Sequence, residues 1–265
     1  MANFYIDETI QKKGKFIIAS VVYSKCDLTP HVSDALIKVG LQPGVDEFKS
    51  SIKMASHPEQ CELRDLLKDI LHRQTKIGMI VTPMHSRQNL GDEVLTGISK
   101  IIQANALQEG GDIYFDSEIY FKKDSENLFI EKVGASFNLH VGQDSKIIGG
   151  IQVADLTAHS LGTMLLDQMG LIKKKVRAGE NSGYDPDSMI ELGFELWATL
   201  RYSFFKSPNG MVPLPITEHF SHADYVKART HDVADFGLYI SPECDDLLRH
   251  AASERFGDCY LGCIH

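Results

Sequence analysis

The sequence predicts an α/β protein, with a sheet domain over residues 1–170 and a mostly helical extension over 171–265. Three observations carry that expectation. Short β-branched and aromatic runs alternate with longer segments whose apolar residues recur at three- and four-residue spacing, the two periodicities of strands and amphipathic helices. From 173 to 188 the chain turns polar, with Gly and Pro, as a linker would. A length of 265 residues suits one large domain, or one domain with an appended part.

Residues 3–7 (NFYID) and 15–23 (KFIIASVVY) read as strands joined by the polar, Gly-containing 8–14, a hairpin. A short helix follows at 31–39, closed by Gly40. Segment 58–74 starts on Pro58 and places Leu63, Leu66, Leu67, Ile70 and Leu71 on one face, an amphipathic helix. Residues 76–84 are a strand. The stretch 90–108 is a helix with Val94, Leu95, Ile98, Ile101, Ile102 and Leu107 on one side. Segments 111–116 and 135–142 are further strands, and 150–170 is a long helix ending at Gly170. Beyond the linker, 188–205 reads as one helix and 243–256 as the last. No internal repeat is visible.

Composition sets limits on function. The chain is 43% hydrophobic and 24% charged, with a formal net charge of −9. That balance speaks against non-specific coating of nucleic acid, which needs a basic face. It is compatible with an enzyme that has one local basic groove. Two local basic clusters occur, Lys12/Lys13/Lys15 and 173–177 (KKKVR), each read as a solvated face. Five scattered cysteines, an odd number, argue for a reducing cytoplasm over a disulfide framework. No apolar run approaches the ~20 residues of a membrane span, and residues 1–20 lack the pattern of a secretory signal.

The informative feature is where acids fall. Asp7 closes the first apolar run and Asp116 closes 111–116, while Asp155 shares a helix stripe with Ile151 in an otherwise apolar stretch. An unpaired carboxylate at the end of a core strand costs several kcal/mol, on the order of what any buried ion costs. Taken singly, such an Asp is most often a turn former or helix cap. Taken together, three carboxylates on neighbouring elements repel one another until cations neutralise them. Mg²⁺ or Mn²⁺ suits such donors, because hard ions prefer oxygen. A pair of ions ~3.5–4 Å apart can hold a phosphodiester, one activating water and the other stabilising the leaving oxygen. Asp7 and Glu8 point to opposite faces of an extended strand, and Asp7 is the one assigned to the site. In 111–118, Asp112, Asp116 and Glu118 all compete for the second position.

These residues carry a resemblance. YIDET followed by a strand, DEFKSS at 46–51, and DSKIIGGIQVADLTAHSLG at 144–162 together resemble the domain of unknown function 3800 family over roughly residues 3–170. That family looks like a branch of the ribonuclease H-like superfamily. Here Thr9-Ile10 replaces the usual Ser-Gly, and Ile151 replaces Leu. The resemblance implies a ribonuclease H-like mixed sheet flanked by helices. It also implies metal-binding and catalytic roles for Asp7, Asp116 and Asp155, Glu47 as a fourth catalytic acid, Lys49 facing phosphate, and Gln152 positioning the helix or the scissile group.

Other constellations are weaker. Cys259, Cys263 and His265, with Cys244 or His250, lack the Cys-x-x-Cys pairing common in structural zinc sites. His219, His222 and Asp224 fall in loop-like sequence. His159 lies one helical turn after Asp155. No phosphate-binding Gly-rich loop or nucleophile elbow is present.

The expectation is therefore a cytoplasmic, Mg²⁺- or Mn²⁺-dependent nuclease or phosphodiesterase acting on DNA or RNA by a two-metal mechanism. The alternative is a catalytically weak or inactive interaction or effector subunit, with a protein partner or a second copy, in a multi-protein system that responds to foreign nucleic acid. A third reading is an enzyme of small phosphorylated metabolites.

Overall fold

The computed structural model describes residues 2–107, 109–122, 124–133, 136–179, 184–205 and 237–257. It opens with a hairpin longer than the sequence predicts. Strand β1 (Ala2–Gln11) continues four residues past Asp7, and β2 (Phe16–Ser24) pairs with it antiparallel from Asn3↔Ser24 to Gln11↔Phe16. The turn therefore lies at Lys12–Lys15, where Lys15 has φ 54. The extension has a simple cause: Thr9 and Ile10 lie opposite Ile18 and Ile17, so stopping at Asp7 would leave the start of β2 paired on its β3 side alone.

Helix α1 (Thr29–Lys38) precedes a loop, then α2 (Pro58–Gln74) and β3 (Thr75–Pro83). Next come α3 (Leu90–Ala104), β4 (Gly111–Asp116), α4 (Ser125–Val133), β5 (Phe137–Gln143) and α5 (Gly150–Gln168). Beyond residue 170 lie β6 (Lys175–Arg177), β7 (Met189–Glu191), α6 (Leu192–Leu200), β8 (Leu238–Ile240) and α7 (Asp246–Ala252). α4 was not foreseen. The helix expected over 188–205 is half that length, because Met189–Glu191 instead pairs with Lys175–Arg177 as a small hairpin.

The main sheet has six strands in the order β5-β4-β1-β2-β3-β8. β2 is antiparallel to both neighbours, whereas β4 runs parallel to β1, β5 to β4 and β8 to β3. Only β2 thus runs against the rest. This is a mixed sheet flanked by helices, as the sequence predicts. Its two faces bury separate cores. Phe4, Ile6, Ile17 and Val21 pack under α3, against Val94, Ile98 and Ile102. Tyr5, Phe16, Ile18 and Val22 face α1, α2 and α5.

The expected division at residue 170 does not divide the core. β8 is a strand of the main sheet, and Leu200, Phe204, Leu238, Cys244 and Leu248 share one core with Leu161, Leu165 and Val22. The physical reason is the edge of β3, whose backbone groups β8 pairs. Among the described residues, no helix is long and apolar enough to cross a membrane.

Candidate active site

β1 and β4 pair in parallel up to Ile6↔Phe115, so Asp7 and Asp116 stand one step beyond the last paired residues of adjacent strands. Alternation places Asp7 on the face of Tyr5, and Asp116 on the face of Tyr114. Those two rings stack at 5.5 Å, which confirms that the faces coincide. Helix α5 lies across the same face. Ser20, directly opposite Asp7 in β2, donates from Oγ to the Ala154 carbonyl at 2.8 Å, fixing the helix one residue from Asp155.

The approach is close because α5 carries glycine where it meets β1. A Cβ at Gly150 would overlap the Tyr5 ring, and one at Gly162 would come within 2.8 Å of both Thr9 and Gln11. The sequence thus sets one acid of a helix against two acids of a sheet.

The three carboxylates influence one another. Burial raises the Asp7 pKa well above the ordinary value, and the charges of Asp155, Asp116 and Glu8 raise it further. Burial also raises Asp116, with Asp155 and Glu118 adding to the effect and Lys49 opposing it. Among the described residues one backbone donor helps Asp7, the Glu8 N–H at 2.7 Å. Asp155 is held more firmly: Ser50 donates from N to Oδ2 at 3.0 Å and from Oγ to Oδ1 at 2.5 Å. Neither Ser50 contact was legible in the sequence, although DEFKSS itself was singled out.

The three acids at 112–118 differ in their partners. Asp112 is engaged by His140 Nε2 at 2.9 Å and Asn138 at 3.1 Å, and the His140 bond, foremost, lowers its pKa. Glu118 is exposed. Asp116 raises the pKa of Asp7. His140 in turn stacks on Tyr114 at 4.7 Å, so a column of rings, Tyr5–Tyr114–His140, runs from beneath the site to the sheet edge.

Gln152 is 1% exposed, and its contacts are those of a residue that positions the helix. Its amide is a strut: Oε1 accepts from Phe48 N at 2.7 Å and Nε2 donates to the Ser145 carbonyl at 2.8 Å, tying the 46–51 loop to α5. Glu47 is occupied in the same loop, accepting from Ser145 Oγ and pairing with Lys49 Nζ at 3.2 Å.

Lys49 lies within electrostatic reach of the acids. Partial burial would lower its pKa, but Glu47, then Asp155 and Asp116, hold it above the ordinary value. Glu8 points to the opposite face, where burial, then Asp116 and Glu118, push its pKa up to about 7. Its Oε2 is buried with no hydrogen-bond partner. His159 is exposed one turn beyond Asp155; partial desolvation lowers its pKa and Lys174 adds to that, against the pull of Asp155.

The donors are all carboxylate oxygens, the set that hard divalent cations prefer, and their mutual repulsion is what a cation relieves. As the side chains stand, no group of three or more His, Cys, Asp or Glu among the described residues closes on a metal position. Zinc at the C-terminus gains nothing from Cys244. It is a core residue whose thiol donates to the Val81 carbonyl at 3.5 Å and is pushed up to about 12 by burial. Cys259, Cys263, His265, His219, His222 and Asp224 lie outside the described residues.

No protein-family model matches the chain, and neither does any curated protein. Among solved structures, it is similar to ribonuclease HII from Archaeoglobus fulgidus, determined in complex with PCNA. The two are 13% identical, with 71% of this chain and 84% of that one covered and a TM-score of 0.40.

Proposed function

We propose that the protein is a divalent-metal-dependent nuclease or phosphodiesterase, with Asp7, Asp116 and Asp155 holding Mg²⁺ or Mn²⁺. The observation that supports this is the setting of three carboxylates from three distant segments on one face of the sheet, where Asp155 and Asp116 both raise the pKa of Asp7. Repulsion of that kind is a standing cost to the fold unless something positive binds there. A divalent cation, once bound, would supply an activated water and offset charge on the leaving oxygen.

The chain's own residues do the rest. Ser50 fixes both oxygens of Asp155, so the carboxylate keeps its orientation as cation and substrate exchange. Lys49, on the same loop, presents an ammonium group toward a phosphate entering beside Asp116 and Asp155. Gln152 holds that loop from beneath. Glu47 sets the position of Lys49.

The test is cleavage of labelled single- and double-stranded DNA and RNA in Mg²⁺ or Mn²⁺, comparing the wild type with Asp155→Asn. Cleavage by the wild type that disappears in the variant supports the reading. Absence of cleavage of every substrate by the wild type counts against it. One observation favours a second reading, an interaction subunit of a larger assembly: both Asp155 oxygens already accept from Ser50. That reading gains if metal binding and cleavage both fail.

A further inference from the structure

We propose that Lys12, Lys13, Lys15, Lys173 and Lys174 form one surface that binds the phosphate backbone of a nucleic acid and leads it to the carboxylate site. The choice of partner rests on the nuclease reading, but the surface is a separate observation. In the sequence these lysines are two clusters about 160 residues apart, each unremarkable. The fold joins them. Lys12–Lys15 is the turn of the β1–β2 hairpin, and the Lys13 ammonium donates to the carbonyl of Leu171, just past the end of α5. Residues 173 and 174 follow directly.

All five side chains are exposed, and among the described residues none forms an ion pair. The neighbouring cations differ. Arg177 pairs with Asp187 at 3.6 Å, and Lys175 stands opposite Glu191 across the β6–β7 hairpin. Of the five, Lys174 is the one that reaches toward the acids. Lys174 acts electrostatically on His159, and His159 is one helical turn from Asp155.

The same direction is measured along β1: six residues separate Asp7 from Lys13, about 20 Å of strand. That length matches roughly six phosphates on one strand of a duplex. In a chain of net charge −9, five lysines outside any ion pair among the described residues meet at the tip of the β1–β2 hairpin. A polyanion bound there would be neutralised along its length, and its one reacting phosphate would then meet Lys49.

The experiment measures binding of a fluorescent 20-nucleotide DNA and its RNA counterpart to the full chain in EDTA, where no metal-dependent cleavage interferes. Lys13→Gln/Lys174→Gln, one residue from each cluster, is compared with Lys25→Gln/Lys38→Gln, which removes the same charge elsewhere. The proposal expects the first pair to weaken binding about tenfold and to flatten the dependence of log K on log salt by about 1.5. The second pair should leave both unchanged. Wild-type protein that binds neither oligonucleotide overturns the proposal, as does an equal loss in both double variants. Phosphatidylserine vesicles bound as tightly as the oligonucleotides, with the same lysine dependence, would overturn it in favour of a membrane surface. If lysine-dependent binding holds while no metal supports cleavage, the surface stands and the nuclease reading falls.

Discussion

Asp7 and Glu8 are adjacent carboxylates with opposite surroundings, and the difference is a matter of strand alternation alone. Asp7 faces α5 and two other acids; Glu8 faces the α3 side, with a buried oxygen that nothing satisfies. Each makes a prediction. With its pKa near 7 in the fold against 4.5 ordinarily, Glu8 keeps a proton that the unfolded chain releases between those values. Stability therefore falls as pH rises through that window and levels off above it. Glu8→Gln should gain stability relative to the wild type as pH goes from 5 to 8, seen as a widening difference in melting temperature in chelator. Asp7→Asn should also raise the melting temperature in EDTA, because it removes one of three repelling charges. In saturating Mn²⁺ that advantage should disappear, since the cation stabilises only the wild type. The position of Asp7 was legible from the acid that closes an apolar run. The direction of Glu8 was legible from alternation, but its buried, unsatisfied oxygen was not, because the α3 face that encloses it is built from distant segments.

At the scale of elements, the site depends on how closely α5 lies on β1 and on how the 46–51 loop is tied to α5. Gly150 and Gly162 permit the first. Gly162→Ala would force a Cβ within 2.8 Å of Thr9 and Gln11, and should lower both stability and metal affinity by lifting Asp155 from Asp7. Gln152 provides the second. Gln152→Leu keeps the volume but strands the Phe48 N–H and the Ser145 carbonyl, each at a cost of about 1–3 kcal/mol. A lowered urea midpoint would measure this, accompanied by weaker Mn²⁺ binding as Ser50 leaves Asp155. Helices α2, α3 and α5 could be read from their apolar spacing, and so could most strands. The extension of β1 could not, since it depends on partners in β2. The work of Gln152, Glu47 and Ser50 was equally hidden. The loop they organise has no periodicity, and its contacts reach residues about a hundred positions away.

For the whole molecule, the sequence split at residue 170 and the composition both understate the fold. The C-terminal part supplies a sheet strand and shares the larger core, so it is structural support as well as extension. A net charge of −9 conceals a local excess of positive charge, because convergence of two lysine clusters is a property of topology and not of composition. The molecule in this account has an acidic centre that attracts cations, one lysine beside it, and a basic end that receives a polyanion. The sheet sets the acidic centre by making β1 and β4 parallel neighbours beneath α5.

The most direct measurement is calorimetric titration of Mn²⁺ into the full chain, beside Asp155→Asn with its circular dichroism unchanged. The account predicts saturable binding by the wild type and none by the variant. Absence of binding by the wild type, or equal binding by both proteins, would contradict a metal site built on these three acids.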